Sequence, residues 1–247
     1  MTDLSAFKAG LPRHAQLMIQ CSHAESYEEF VSAVHEVVDN AVQRVEQQSH
    51  LVFDTSNAED GWTSKIIDNI SSSGLYARPA MMSGNTDIAI EQIGGPFSII
   101  CESKIIGSAP GSTTNYDNGH LFEGVLQLVT RYATCSPGND HCILIILCFK
   151  PMARTVLDKW RKFFFKKTKE DSFSSRFSGL DDYECGVYSG MRGFFTRHVH
   201  YTSGEPVKIR HVPVHLFFEP QDKSGRKESQ GKSGGKKTQH ESGVKAS

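Results

Sequence analysis

The sequence predicts an α/β domain on three observations. Residues 26–49 repeat apolar side chains at helical spacing, residues 86–104 (TDIAIEQIGGPFSIICESK) alternate apolar and polar on either side of a Gly-Gly-Pro, and residues 141–149 (HCILIILCF) form an unbroken apolar run. The first pattern is that of an amphipathic helix, the second of two half-buried strands joined by a turn, and the third of a strand covered on both faces. At 247 residues and 38% hydrophobic, the chain can bury a substantial core.

Taken in order, Phe30, Val34, Val37, Val38, Ala41 and Val45 line one face of the first helix, and Ser26 with Glu29 makes a capping box at its start. A shorter helix is expected over 57–70 through Trp62, Ile66, Ile67 and Ile70, ended by SSSG, and a short strand over 75–81. After the hairpin, residues 120–133 place Phe122, Leu126, Val129 and Ala133 on one helical face. Pro151, at a first helical position, opens the basic aromatic helix ARTVLDKWRKFFFKK, and two β-rich segments follow at 193–201 and 207–218.

Composition narrows the function classes. The opening MTDLSAFKAG carries no apolar segment of the signal-peptide kind, and the longest apolar run is too short to span a bilayer, so an intracellular protein, cytoplasmic or nuclear and without a membrane partner, is expected. Six cysteines (21, 101, 135, 142, 148 and 185) form no CxxC pair, which favours reduced thiols over disulfides or zinc. Residues 221–247 hold seven Lys or Arg against three acids with almost nothing apolar, and read as a disordered basic tail after a single domain over 1–220. The GKS within it, at 231–233, is no phosphate-binding loop, because Arg226 stands where that motif needs glycine. His198, His200, His211 and His215 in the late strands lack a carboxylate at ligand spacing and are expected to be ordinary strand histidines.

The hairpin carries the chemistry. With the turn centred on Gly94 and Gly95, residues whose numbers sum to 189 face each other, so Asp87 lies across from Glu102. Alternation puts Glu102 and Lys104 on one face of their strand and Cys101 and Ser103 on the other. Two facing carboxylates repel unless a cation sits between them, and an all-oxygen site suits Mg²⁺ or Mn²⁺, with the backbone carbonyl of Ser103 as a further ligand. A lysine beside such a site can orient water or offset charge on a phosphate.

Asp87, fourteen intervening residues, then Glu102-Ser103-Lys104 resembles the signature of the PD-(D/E)xK nucleases. That superfamily's restriction-endonuclease-like core runs helix, three-strand meander, helix, strand, and the elements expected over about 26–149 follow the same order, leaving a C-terminal helix and strands at 150–220 as additions. The resemblance implies a metal-dependent nuclease, endonuclease rather than exonuclease, with Asp87 and Glu102 holding the metal and Lys104 as base or electrostatic stabiliser. Thr86 replaces the proline of the signature, a position that shapes backbone and does no chemistry. Many members add an acid on the first helix, for which Glu46 and His35 are the candidates here; a histidine there would be similar to the cap-snatching endonucleases of segmented RNA viruses. Members similar to the nuclease domain of RecB carry Gln-x-x-x-Tyr on the following helix, whereas Gln127 and Tyr132 are one residue further apart. Gln127 and Arg131, four residues apart, are expected instead to form a polar edge toward a substrate phosphate.

Arg154, Lys159, Arg161, Lys162, Lys166 and Lys167, set among Trp160 and Phe163 to Phe165, suit a helix that tracks a DNA or RNA backbone. The alternative for this helix is an amphipathic helix with a solvated basic face. The alternative for the protein is a binding or scaffold protein that keeps the nuclease fold and uses the basic helix and tail to hold nucleic acid or a partner without cutting.

Overall fold

In a computed structural model that describes residues 10–51, 58–81, 85–133, 135, 139–182 and 191–220, the expected hairpin is present with its expected register. Strand β2 (Asn85–Glu91) pairs antiparallel with β3 (Ser98–Gly107) through Ile88–Cys101, Ala89–Ile100, Ile90–Ile99 and Glu91–Ser98. Gln92 N–H donates to the Phe97 carbonyl to close the turn, and Gly94 takes the left-handed conformation that a side chain would strain. Strand β1 (Tyr76–Met81) adds to β2 and completes the meander.

Before the meander come α1 (Arg13–Ser22), which the sequence pattern did not announce, then α2 (Tyr27–Glu46) and α3 (Ala58–Ser71). After it come α4 (Asn118–Gln127), a π turn over Leu128–Tyr132, β4 (His141–Phe149), α5 (Ala153–Lys167), the short α6 (Asp171–Ser174), β5 (Asp181–Asp182), β6 (Phe194–Val199) and β7 (Pro206–His215). The seven strands among the described residues make one mixed sheet in the order β1-β2-β3-β4-β7-β6-β5. β3, β4 and β7 run parallel at its centre, and the flanks are antiparallel. Pro213 is tolerated within β7 because β6 stops at Phe194 opposite His211, so no partner asks for the missing N–H. Contacts gather the described residues through Phe217 into one compact unit; the basic tail and Cys185 lie outside the described residues.

Helices cover both faces of the sheet. On one, α1, α2 and α3 bury Phe30, Val34, Val38, Trp62 and Ile66 against odd-numbered residues of β3 and β4. On the other, α4, the π turn and α5 bury Phe122, Val125, Trp160 and Phe164 against the even-numbered set, including Leu144 and Ile146. β4 is buried along its whole length, which explains its unbroken apolar sequence. At the start of α2, Ser26 accepts the Glu29 N–H as a cap, but the Glu29 carboxylate reaches back to the N–H of Glu25, one residue beyond the Ser26 N–H of a reciprocal box. Pro151 lies outside α5, which begins after Met152 in a left-handed conformation.

Several expected roles resolve into structure here. The five described cysteines are free and buried. His211 accepts the Trp160 indole N–H at 3.2 Å through Nδ1, and its Nε2 lies 3.1 Å from the Thr196 hydroxyl. His200 Nε2 lies 2.9 Å from the Val129 carbonyl. Both are core histidines. Trp160 and Phe164 face inward, so the aromatic residues of α5 hold the helix to the sheet and do not interleave with its basic face.

Candidate active site

The meander opens into a fork at the end of the hairpin. The β2–β3 ladder ends at Ile88–Cys101, and beyond it every second N–H of β3 points toward a strand that has turned away. Each finds another acceptor. The Asp87 carboxylate takes the Ser103 N–H at 2.6 Å, the Glu59 carboxylate takes the Ile105 N–H at 3.1 Å, and the Tyr116 carbonyl takes the Gly107 N–H at 2.9 Å. Two of the three acceptors are therefore carboxylates at one sheet edge.

Glu102 and Lys104 share the β3 face covered by α4, as alternation requires, and both are buried. Lys104 Nζ lies 2.8 Å from Glu102 Oε1 and 3.3 Å from Glu59 Oε1. Glu59 in turn lies 3.3 Å from Nε2 of His120, whose ring packs on Tyr116 with centroids 4.4 Å apart. Gly124 lets α4 settle onto this cluster: a Cβ there would meet Lys104 Cγ at 2.7 Å and Leu144 Cδ1 at 3.0 Å. Outside it, a cavity of about 380 Å³ is lined by Lys104, His120, Glu123, Leu126, Gln127, Thr130 and Arg131.

The structure thus brings Asp87, Glu102, Lys104, Gln127 and Arg131 to one place and leaves two candidates elsewhere. Glu46 accepts from the Arg192 guanidinium at 2.6 Å and from the His215 N–H at 3.0 Å, a tie between the end of α2 and β7. His35 is buried behind the sheet, edge-on to Phe195, with burial pushing its imidazole well below the usual range. Neither reaches the fork, because α2 packs on the opposite sheet face from Lys104. The acid from the N-terminal helices is Glu59, in the first turn of α3, and the second addition is His120. The π turn also alters the reading of the Gln-Tyr pair. Its Ala133 N–H bonds back to the Leu128 carbonyl, five residues away, so the turn accommodates one residue more than an α-helical turn does. Burial, then the charge of Glu102, raise the Tyr132 hydroxyl above its ordinary pKa.

Electrostatics follow from burial and crowding. Burial, then the charge of Asp87, push the Glu102 carboxyl up to about 7 against the pull of Lys104. Asp87 is raised by burial, with Lys104 and the Ser103 N–H opposing. Burial lowers Lys104, but Glu59, Glu102 and Asp87 outweigh it and hold the group as an ammonium. Burial raises Glu59 and is likewise outweighed, here by His120 and Lys104. Three carboxylates therefore face one lysine. Glu102 Oε2 is buried without a hydrogen-bond partner. Hard oxygen donors from Asp87 and Glu102 fit Mg²⁺, with the Ser103 carbonyl on the same strand edge as its N–H. Among the described residues no group of three or more His, Cys, Asp or Glu is placed to hold a metal ion.

The same crowding bears on stability without metal. A carboxyl raised from its ordinary 4.5 to about 7 holds its proton longer folded than unfolded, so its contribution to stability falls as pH rises through that window. Glu102→Gln removes the cost, offset in part by loss of the Lys104 pairing. In EDTA at pH 8 the variant is expected to be more stable by about 1–2 kcal/mol, the gap narrowing as pH falls toward 4.5. Urea melts at both pH values check it; a less stable variant at pH 8 would show that the ion pair outweighs the desolvation.

Compared with protein-family models, curated proteins and solved structures, the chain matches none.

Proposed function

We propose that this chain is a Mg²⁺-dependent nuclease with a restriction-endonuclease-like core, cutting phosphodiester bonds of DNA or RNA at the fork between β2 and β3. The observation that supports the reading most is the meeting of Asp87, Glu102 and Lys104 at that fork, with Glu102 Oε2 unpartnered. Mg²⁺, or Mn²⁺ in its place, held by Asp87, Glu102 and the Ser103 carbonyl, supplies Lewis acidity toward the phosphoryl oxygen. The remaining work falls to this chain's own groups. Lys104, kept as an ammonium by its carboxylate neighbours, offsets the negative charge that builds on the phosphate as water attacks. It acts as an electrostatic stabiliser and an orienter of water, since an ammonium has no lone pair with which to act as base. Glu59 holds Lys104 and the Ile105 N–H together, fixing where the ammonium points. Gln127 and Arg131 line the approach.

The test is incubation with duplex DNA, single-stranded DNA and RNA, linear and circular, each with Mg²⁺, Mn²⁺ or EDTA. Metal-dependent scission of a circle establishes endonuclease activity. One observation favours the second reading, a nucleic-acid-binding or scaffold protein that does not cut: Lys104 is already ion-paired twice. Binding to all three polymers with no scission under any metal decides for it.

Nucleic-acid contact through α5 is part of the proposal. Arg154, Lys159, Arg161, Lys162 and Lys166 are exposed, whereas Lys167 is half-buried and paired with Glu170 at 2.7 Å. Replacing Lys159, Arg161 and Lys162 with alanine should flatten the log–log salt dependence of binding by about 0.7–0.9 for each phosphate that is no longer neutralised. Fluorescence anisotropy at several salt concentrations measures it, and an unchanged slope shows that these residues make no phosphate contact.

A further inference from the structure

His120 has no part in the reading above, yet its position is that of a working group. It stands in the first turns of α4 with its ring fixed on two sides, by Tyr116 against its face and by the Glu59 carboxylate on Nε2. Nδ1 is left toward Glu123, 3.6 Å away on a side chain that is 72% exposed. The charged groups around it are Glu59 of α3, Glu123 of α4, Lys104 of β3 and Arg131 of the π turn, and all but Glu59 line the same cavity as His120 itself. A carboxylate that fixes one ring nitrogen and leaves the other toward the substrate space is the arrangement that orients an imidazole for proton transfer. A substrate phosphate reaching Lys104 through this cavity lies beside His120.

We propose, resting on the nuclease reading, that His120 is a catalytic residue which protonates the leaving oxygen of the phosphodiester, with Glu59 as the residue that positions it. As the oxygen of water bonds to phosphorus, the bond from phosphorus to the leaving nucleoside oxygen breaks and its electron pair goes to that oxygen. The imidazolium of His120 gives the oxygen its Nδ1 proton and is left neutral, its Nε2–H still on Glu59. The attacking water releases its proton to solvent, and His120 regains one from solvent before the next turnover.

The test compares His120→Gln and His120→Asn with the unaltered protein on an oligonucleotide carrying a normal phosphodiester and on its analogue with a bridging sulfur in the leaving position. Thiolate departs without a proton. Both variants should cut the oxygen-linked substrate about a hundredfold or more slowly, the usual worth of a general acid. On the sulfur-linked substrate they should stay within about threefold of the unaltered protein, which also shows that they fold. Oligonucleotide binding, measured by anisotropy with Ca²⁺ in place of Mg²⁺, should be unchanged. Equal losses on the two linkages, or no loss on the oxygen-linked one, overturn the role of His120 and leave the nuclease reading standing. Failure of the unaltered protein to cut either substrate overturns both.

Discussion

Under the proposed nuclease mechanism, replacing Lys104 with alanine should lower the cleavage rate by about a thousandfold or more at saturating Mg²⁺, the scale expected when a preorganised charge beside a transferring phosphoryl group is removed. Asp87→Asn and Glu102→Gln, which take away the two carboxylates proposed to hold the metal, should be at least as severe. The effect belongs in kcat, because the charge Lys104 meets grows only as the reaction proceeds. Single-turnover cleavage of a labelled substrate measures it, with circular dichroism to verify that each variant folds. Wild-type rates in the Lys104 variant, or full activity of the unaltered protein in EDTA, would remove the mechanism.

The second large effect lies behind the sheet, far from the chemistry. Arg210 of β7 is fully buried, its guanidinium 2.5 Å from Asp39 Oδ1 and within 3.1 Å of the carbonyls of His35 and Arg192. Asp39→Ala takes the carboxylate from that buried charge and should cost about 3 kcal/mol, at the lower end for a broken buried pair because the carbonyls remain. For a domain of this size the loss corresponds to roughly 6–12 °C in Tm. The double variant Asp39→Ala with Arg210→Met should recover part of the loss, since the burden is the stranded charge and not the missing bond. Calorimetry on the two variants separates these terms, and a double variant less stable than Asp39→Ala alone would show that Arg210 contributes chiefly through its carbonyl contacts.

Why some of this is legible in the sequence and some is not follows from where each signal resides. Asp87, Glu102 and Lys104 lie on one hairpin, and hairpin pairing obeys a rule that turn position and alternation are enough to apply. Glu59 stands 45 residues ahead of Lys104, in the first turn of a helix, where an acid is expected from the helix dipole alone and signals nothing further. His35 and Glu46 are eligible on sequence because they flank an apolar stripe, but which sheet face a helix covers is settled by chain crossing and not by its own periodicity. Gln127 and Tyr132 fail to match at α-helical spacing, which the π turn does not keep. In α5 the sequence pattern mixes aromatic and basic residues, and only the packing of Trp160 and Phe164 sorts them into an inner and an outer face. Helix α1 buries only Leu17 and Cys21 of RHAQLMIQCS, a single i, i+4 pair, so its apolar stripe is too short to stand out in the sequence.

The fork in the meander also makes the site observable from within. An amide proton that ends on a carboxylate is held in a different field from one that ends on a carbonyl, and it moves when the carboxylate changes its partner. The Ser103 and Ile105 protons end on Asp87 and Glu59, whereas their neighbours in β3 are held by the parallel ladder to β4. In a nitrogen–proton correlation spectrum these two resonances therefore act as separate gauges, one for the carboxylate proposed to hold the cation and one for the carboxylate that anchors the lysine. Titrating Mg²⁺ or a short oligonucleotide while following only those two peaks tells which of the two carboxylates each addition engages, with no label placed in the site.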